Sequence, residues 1–289
     1  MSRLGLGARA VAYGRMIKFS HSVFALPFAL SAAVLAAQGY PGADKLLWIL
    51  VAMLGARSAA MGFNRLVDHA IDARNPRTAG RELPRGVLSR IEVWGFVVVS
   101  ALALVVAAWR LNPLCLMLSP LALAVVLGYS YAKRFTSLSH LWLGLGLGLA
   151  PLGAWIAVRG QFDVTPVVLA AAVLAWVAGF DILYACQDVD FDRSEGLWSL
   201  PARWGVGRAL LFARALHALA AALLACLYWL APLRPLYLAG VAGVAGLLVY
   251  EHSLVREDDL SRVDAAFFTL NGWISVGYLA TTVLAASVA

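Results

Sequence analysis

Charge is what this chain has least of. Only 13% of its 289 residues are charged, and polar low-complexity sequence is almost absent. A soluble globular domain and a disordered chain are both excluded by that composition. Cysteine is equally sparse. Cys115, Cys186 and Cys226 lie inside or beside apolar runs, with no C-x-x-C pair and no histidine at ligand spacing, so neither a disulfide framework nor a zinc site is indicated. What remains is apolar: 62% of the residues are hydrophobic. A bilayer core about 30 Å thick takes about 20 such residues per helical crossing, so the chain holds enough for roughly nine crossings.

Apolar runs bounded by charge or Pro/Gly breaks predict spans at 17–38, 46–63, 92–109, 112–131, 138–158, 164–187, 208–230, 235–252 and 264–287. The expected fold is all-α and integral to the membrane: nine transmembrane helices in one bundle with a central cavity, the whole of 1–289 forming a single domain. The basic start (Arg3, Arg9, Arg15, Lys18) ahead of the apolar stretch from Val23 to Ala37 resembles a signal peptide, but no cleavage site follows and the stretch is read as a retained first helix. Of the 23 Lys and Arg residues, only Lys45, Arg110, Arg159 and Arg234 fall in loops on one side of the threaded chain. Nearly all the others fall on the opposite side, with the N-terminus and the loops 64–91, 132–137, 188–207 and 253–263. That asymmetry predicts a cytoplasmic N-terminus and cytoplasmic Asp-rich loops, as in a bacterial inner membrane. The basic excess has a topological meaning, and no nucleic-acid partner is expected. The remaining residue, Arg57, falls inside the second span, where an ionisable side chain marks a functional site by default. The run Gly144-Leu145-Gly146-Leu147-Gly148 lacks the strand and the sixth-position glycine of a nucleotide loop and is read as a close helix contact.

Two stretches carry chemistry. Asn64, Asp68 and Asp72 are spaced i, i+4, i+8, one stripe of a helix, with Arg57 two turns back on nearly the same face. Asp181, Tyr184, Asp188 and Asp192 form a second stripe at the end of the sixth span. Acids crowded at helix C-termini repel one another and oppose the macrodipole, so a cation is needed. Magnesium suits oxygen ligands and is held by one or two carboxylates plus a substrate phosphate. Asp68, Asp72, Asp188 and Asp192, with Asn64 as a neutral oxygen, are the candidate metal ligands and the candidate catalytic group. Arg65, Arg77 and Arg81 after the first stripe, and Lys133 with Arg134 after the fourth span, are placed to bind the phosphate oxygens. Tyr129, Tyr184 and Phe63 are placed to present aromatic faces to a cation. The pattern reads as a metal–diphosphate clamp. Asp190, Glu195 and the cluster Glu257, Asp258, Asp259 are read as solvated charges, and His21, His69, His140, His217 and His252 as polar helix-end residues. An ion-coupled transporter is the rival reading, but its charges belong near the midplane, whereas these acids sit at span ends beside Arg-rich loops.

These residues resemble the UbiA superfamily of intramembrane prenyltransferases. Asn64-x-x-x-Asp68-x-x-x-Asp72 matches its first motif and Asp188-x-x-x-Asp192 its second. The flanks agree too: Arg57-Ser58-Ala59, Arg77-Thr78, Arg81-x-Leu83-Pro84-x-Gly86, Tyr129 ahead of Lys133-Arg134-x-Thr136, and Asp181-x-x-Tyr184-Ala185. Glu82 stands where many members carry proline. Lys18-Phe19-Ser20-His21, Phe24-Ala25-Leu26-Pro27-Phe28 and Gln187 to Arg193 are similar to a 4-hydroxybenzoate polyprenyltransferase and menaquinone-pathway subgroup. The resemblance covers essentially the full length. It implies Mg2+-dependent transfer of a polyprenyl group from polyprenyl diphosphate to a ring carbon of a hydroxylated aromatic carboxylate, 4-hydroxybenzoate or 1,4-dihydroxy-6-naphthoate, in ubiquinone or menaquinone biosynthesis, with prenyl transfer to another acceptor of the same superfamily as the alternative. The implied substrate-binding residues are Arg57, Asn64, Arg65, Arg77, Arg81, Tyr129, Lys133, Arg134, Asp181 and Tyr184. The implied partners are the two substrates and membrane lipid, with no obligate protein partner.

Overall fold

A computed structural model describes residues 5–18 and 24–286. Arg3 of the basic arm, and Phe19, Ser20, His21 and Val23 ahead of the first apolar helix, lie outside the described residues. In chain order the helices are α1 (Leu6–Met16), α2 (Leu26–Ala37), α3 (Ala43–Val67), α4 (His69–Arg74), α5 (Arg90–Leu111), α6 (Pro113–Ala132), α7 (Ser139–Arg159), α8 (Val164–Ala185), α9 (Val189–Ser194), α10 (Leu200–Trp204), α11 (Val206–Leu230), α12 (Leu236–Leu254) and α13 (Asn271–Ala286). A 3-10 turn (Cys186–Asp188) joins α8 to α9, and a π-helix (Ala265–Leu270) leads into α13.

Eight of the described helical segments are long and apolar enough to cross a membrane; α2 is apolar but has 12 residues. The span expected over 17–38 therefore differs. Its first residues, Ile17 and Lys18, close α1, and Lys18 sits at φ +47°, a left-handed conformation that ends a helix. Pro27 then opens α2 within its first turn, where a missing N–H costs nothing. Arg57 of α3 donates to the carbonyl oxygens of Ile17 (3.3 Å) and Lys18 (3.0 Å), tying α1 to the bundle.

α8 is the central helix, with α7 and α11 packed along it, while α3 pairs with α5. In lipid the solvent supplies no apolar driving force, and close backbone approach takes over. A Cβ on Gly144 would strike the carbonyl of Leu174, and one on Gly148 would lie 2.7 Å from the carbonyl oxygen of Ala170. Gly144 and Gly148 of the glycine run thus form the α7–α8 contact, while Gly146 faces Val126 of α6. Around α8 the interior is aromatic: Phe28 packs on Trp176 (4.9 Å between centroids) and on Tyr278 (4.8 Å), and Phe180 meets Phe267 (5.2 Å). Trp94, Trp109, Met117, Leu121, Trp229 and Val249 face outward, as apolar residues do when the surrounding medium is hydrocarbon.

Both motif helices bend at their first Asp. α3 stops at Val67, and Asp68 (φ −91°, ψ 5°) leads into α4; α8 stops at Ala185, and Asp188 (φ −102°, ψ 7°) leads into α9. The amide of Asp68 still donates to the Asn64 carbonyl (2.9 Å) and that of Asp72 to the Asp68 carbonyl (2.7 Å). Helical spacing survives the bend at Asp68, so the first stripe stays on one face.

Candidate active site

The two stripes meet. Between the ends of α3, α6 and α8, and beneath the segments that follow them, lies a cavity of about 180 Å³ lined by Asn64, Arg65, Asp68, Ile71, Asp72, Asn75, Arg77, Thr78, Arg81, Tyr129, Ser130, Lys133, Arg134, Asp181, Tyr184, Ala185, Asp188, Phe191, Asp192 and Leu197. Every metal-ligand candidate lines it, and so do all the substrate-binding candidates except Arg57, which is occupied with the end of α1. Phe63 is also elsewhere, packed against Trp94 and Tyr131.

Four acids are each matched with a base. Arg134 donates to Asp68 (2.9 Å) and to the Val67 carbonyl (2.9 Å); Arg81 donates to Asp72 (2.6 Å). Arg77 grips both oxygens of Asp188 and donates to the Tyr184 hydroxyl (2.8 Å), lying over that ring as well. Lys133 approaches Asp192 to 3.8 Å. Fully buried Arg65 reaches the Asn64 amide oxygen (3.2 Å) and stands 3.8 Å from Asp72, and Asn64 donates to Asp68 (2.8 Å). Burial pushes the Asp68 carboxyl above its ordinary range against the pull of Arg134. The Asp188 pairing holds the Arg77 guanidinium more firmly charged than usual, although burial opposes it.

The lining carries five carboxylates (Asp68, Asp72, Asp181, Asp188, Asp192) and five bases (Arg65, Arg77, Arg81, Lys133, Arg134). Such a balance has no surplus of positive charge for a polyanionic ligand, which must bring cations of its own. Two oxygens are poised to receive them: Oδ2 of Asp72 and Oδ2 of Asp192 are buried without a hydrogen bond among the described residues. Each has a cationic nitrogen only at 3.8 Å (Arg65 for Asp72, Lys133 for Asp192), beyond hydrogen-bond distance, and the donor set is all oxygen, as magnesium prefers. Among the described residues no three His, Cys, Asp or Glu side chains converge closely enough to hold an ion by themselves. The residues thus fit a cation that shares its ligands with a bound phosphate rather than one caged by protein alone.

Sequence reasoning missed two residues close to the site. Lys18 is close enough to Arg81, Arg65 and Arg77 to feel their charge, which together with burial lowers its ammonium to about 8. His140 is at a helix end as expected, the second residue of α7, but it is completely buried and bonded to Asp181 (2.7 Å). Glu195, outside the cavity lining, pairs with Arg74 at the exposed surface (2.9 Å from Nε to Oε1), in keeping with a solvated charge. His252 is in the last turn of α12, as expected of a helix-end residue, whereas His217 lies inside α11; the two bond to each other (3.0 Å) beside buried Glu251. Only a partner distant in sequence distinguishes these residues, and no local spacing marks it.

Two solved structures with this fold are informative. A UbiA homolog from Aeropyrum pernix, in its apo form, matches with a TM-score of 0.83 at 34% identity over 91% of this chain and 97% of that one. A UbiA homolog from Archaeoglobus fulgidus, bound to DMAPP and Mg2+, matches with a TM-score of 0.72 at 21% identity over 93% of this chain and 97% of that one, a likeness of fold. Fold and cavity define an intramembrane enzyme, a helical bundle whose polar chamber adjoins an apolar interior. The sequence pattern of the UbiA prenyltransferase family matches residues 25–273, and the chain belongs to that family. Among curated relatives, a 4-hydroxybenzoate octaprenyltransferase from Tolumonas auensis is 32% identical over 251 residues, 87% of each chain. A 4-hydroxybenzoate solanesyltransferase from Synechocystis is 35% identical over 184 residues, 63% of each.

Proposed function

We propose that this prenyltransferase moves a polyprenyl group from polyprenyl diphosphate to a ring carbon of a hydroxylated aromatic carboxylate, 4-hydroxybenzoate or 1,4-dihydroxy-6-naphthoate, in quinone biosynthesis. The observation that carries this reading is the meeting of both acidic stripes in one charge-balanced cavity, with Asp72 and Asp192 each retaining an unbonded oxygen. The names of the 4-hydroxybenzoate-specific relatives support the acceptor class, and the DMAPP and Mg2+ of the Archaeoglobus homolog support the donor.

Asn64, Asp68, Asp72, Asp188 and Asp192 would hold Mg2+, which when bound neutralises charge on the departing diphosphate. The chain's own bases do the rest of that work. Arg65, Arg77, Arg81, Lys133 and Arg134 donate to the diphosphate oxygens, and their pull is strongest as the allylic C–O bond breaks and its electron pair passes to oxygen. Tyr184 and Tyr129 present ring faces to the allylic carbon as it becomes cationic. The ring carbon bonds to that carbon, and the displaced ring proton needs an acceptor. Asp181 is the cavity acid whose partner is a histidine instead of an Arg or Lys, which leaves it free for this step. The lipid tail runs into the apolar bundle and the bilayer. By the distribution of basic residues, the cavity faces the cytoplasm of a bacterial inner membrane.

The reading is tested by incubating purified protein with Mg2+, a labelled prenyl diphosphate and both acceptors in competition, and identifying the product by mass. A prenylated aromatic acid supports the reading and selects the acceptor. Failure of both acceptors confines the chain to its family.

A further inference from the structure

His140 stands behind the cavity wall. It is the second residue of α7, it is fully buried, and its ring bridges two elements far apart in sequence. Nδ1 lies 2.7 Å from Oδ2 of Asp181 on α8. Nε2 lies 3.4 Å from the backbone nitrogen of Leu200, at the start of α10. A backbone N–H only donates, so Nε2 must offer its lone pair. The ring proton is therefore on Nδ1 and points at the carboxylate. Asp181 makes no other hydrogen bond among the described residues, and its side chain retains 16% of its exposure, on the cavity side. Its four neighbouring acids are instead matched with Arg or Lys.

We propose that His140 is a positioning residue for prenyl transfer. Locked as the Nδ1–H tautomer by the Leu200 amide, it fixes one Asp181 oxygen so that the other, Oδ1, faces the acceptor. The inference rests on the proposed reaction and adds a residue to it. In the step it serves, the new C–C bond has formed, the C–H electron pair returns to the aromatic ring, and the proton passes to Oδ1 of Asp181. A neutral donor suits this role, since it orients the carboxylate without supplying the positive charge that would make it a poorer base. The α7–α8 glycine contact holds the two helices at the separation the bond requires.

The experiment has two independent readouts. In protein labelled with 15N-histidine, the signal that disappears in His140→Gln should report, in the wild type, a neutral ring protonated at Nδ1, and Asp181→Asn should shift it. A proton on Nε2, or no response to Asp181→Asn, overturns the assignment whether or not the chain has been shown to transfer prenyl groups. In turnover, His140→Ala should lower kcat at least tenfold while leaving KM for prenyl diphosphate within about twofold. His140→Gln, whose amide donates and accepts at comparable places, should recover most of the loss, and His140→Ala added to Asp181→Asn should lower kcat no further. A glutamine variant as impaired as the alanine one, or equal changes in kcat and both KM values, overturns the positioning role. Wild-type protein that prenylates neither acceptor strikes the proposed reaction instead, and the NMR result then decides the His140 contact on its own.

Discussion

Arg77 and Asp188 are 111 residues apart in sequence and joined at the centre of the site, the Arg77 Nε 3.0 Å from Oδ1 and the terminal nitrogen on Oδ2. The same guanidinium donates to the Tyr184 hydroxyl. The loop that follows the first acidic stripe thus closes onto the second. Arg77→Ala should raise KM for prenyl diphosphate about tenfold or more and, by leaving Asp188 buried and unpaired, lower stability by about 1–3 kcal/mol. Steady-state kinetics and thermal unfolding in detergent check the two effects. An unchanged KM would remove Arg77 from the diphosphate side.

Asp72 and Asp192 have a different expected signature. Each keeps a buried oxygen without a hydrogen bond among the described residues, the acceptor that a bound cation would use. Asp72→Asn and Asp192→Asn should lose turnover by at least 100-fold, with the Mg2+ concentration for half-maximal rate rising sharply. Titrating Mg2+ against rate for each variant makes the comparison.

The pH dependence follows from Lys18. Burial, reinforced by Arg81, Arg65 and Arg77, lowers its folded value to about 8 from the ordinary 10.5. It is charged below that pH and neutral above it, so prenyl diphosphate should bind more weakly as pH rises through about 8. Folding stability should move the other way and rise between about 8 and 10.5, because there the unfolded chain binds the extra proton. Lys18→Met should flatten both trends, measured as Kd and as melting temperature against pH.

Close packing of α7 on α8 has its own test. Gly144→Ala places a methyl group against the Leu174 carbonyl, and overpacking of this kind costs about 1–3 kcal/mol. Gly146, with open space apart from Val126 at 3.8 Å, should accept alanine with little change. Denaturation of the two variants side by side distinguishes them.

Much of the site could be read from the sequence because it is periodic. Asn64, Asp68 and Asp72 fall on one face by spacing alone, and the bend at Asp68 preserves that face through two backbone hydrogen bonds. Arg65, Lys133 and Arg134 were legible because basic residues flank the acids in the chain. Arg57 lies outside the cavity lining for a physical reason: being inside a span marks an arginine as needing partners but does not say which, and the partners are the carbonyls that end α1. His140 and Lys18 were invisible to periodicity, since each takes its meaning from a contact or field made by distant elements. The first span was overextended because apolarity continues from Val23 to Ala37, whereas the left-handed turn at Lys18 and the proline start of α2 divide the region.

The shared cavity is the central claim. Calorimetric binding of prenyl diphosphate to the purified protein, with and without Mg2+, tests it directly in the wild type, Asp68→Ala and Asp188→Ala. Binding to the wild type should depend on Mg2+, and either substitution alone should cost at least tenfold in affinity, because both stripes hold one ligand. Mg2+-independent binding, or a full response to Mg2+ retained in either variant, would contradict the claim.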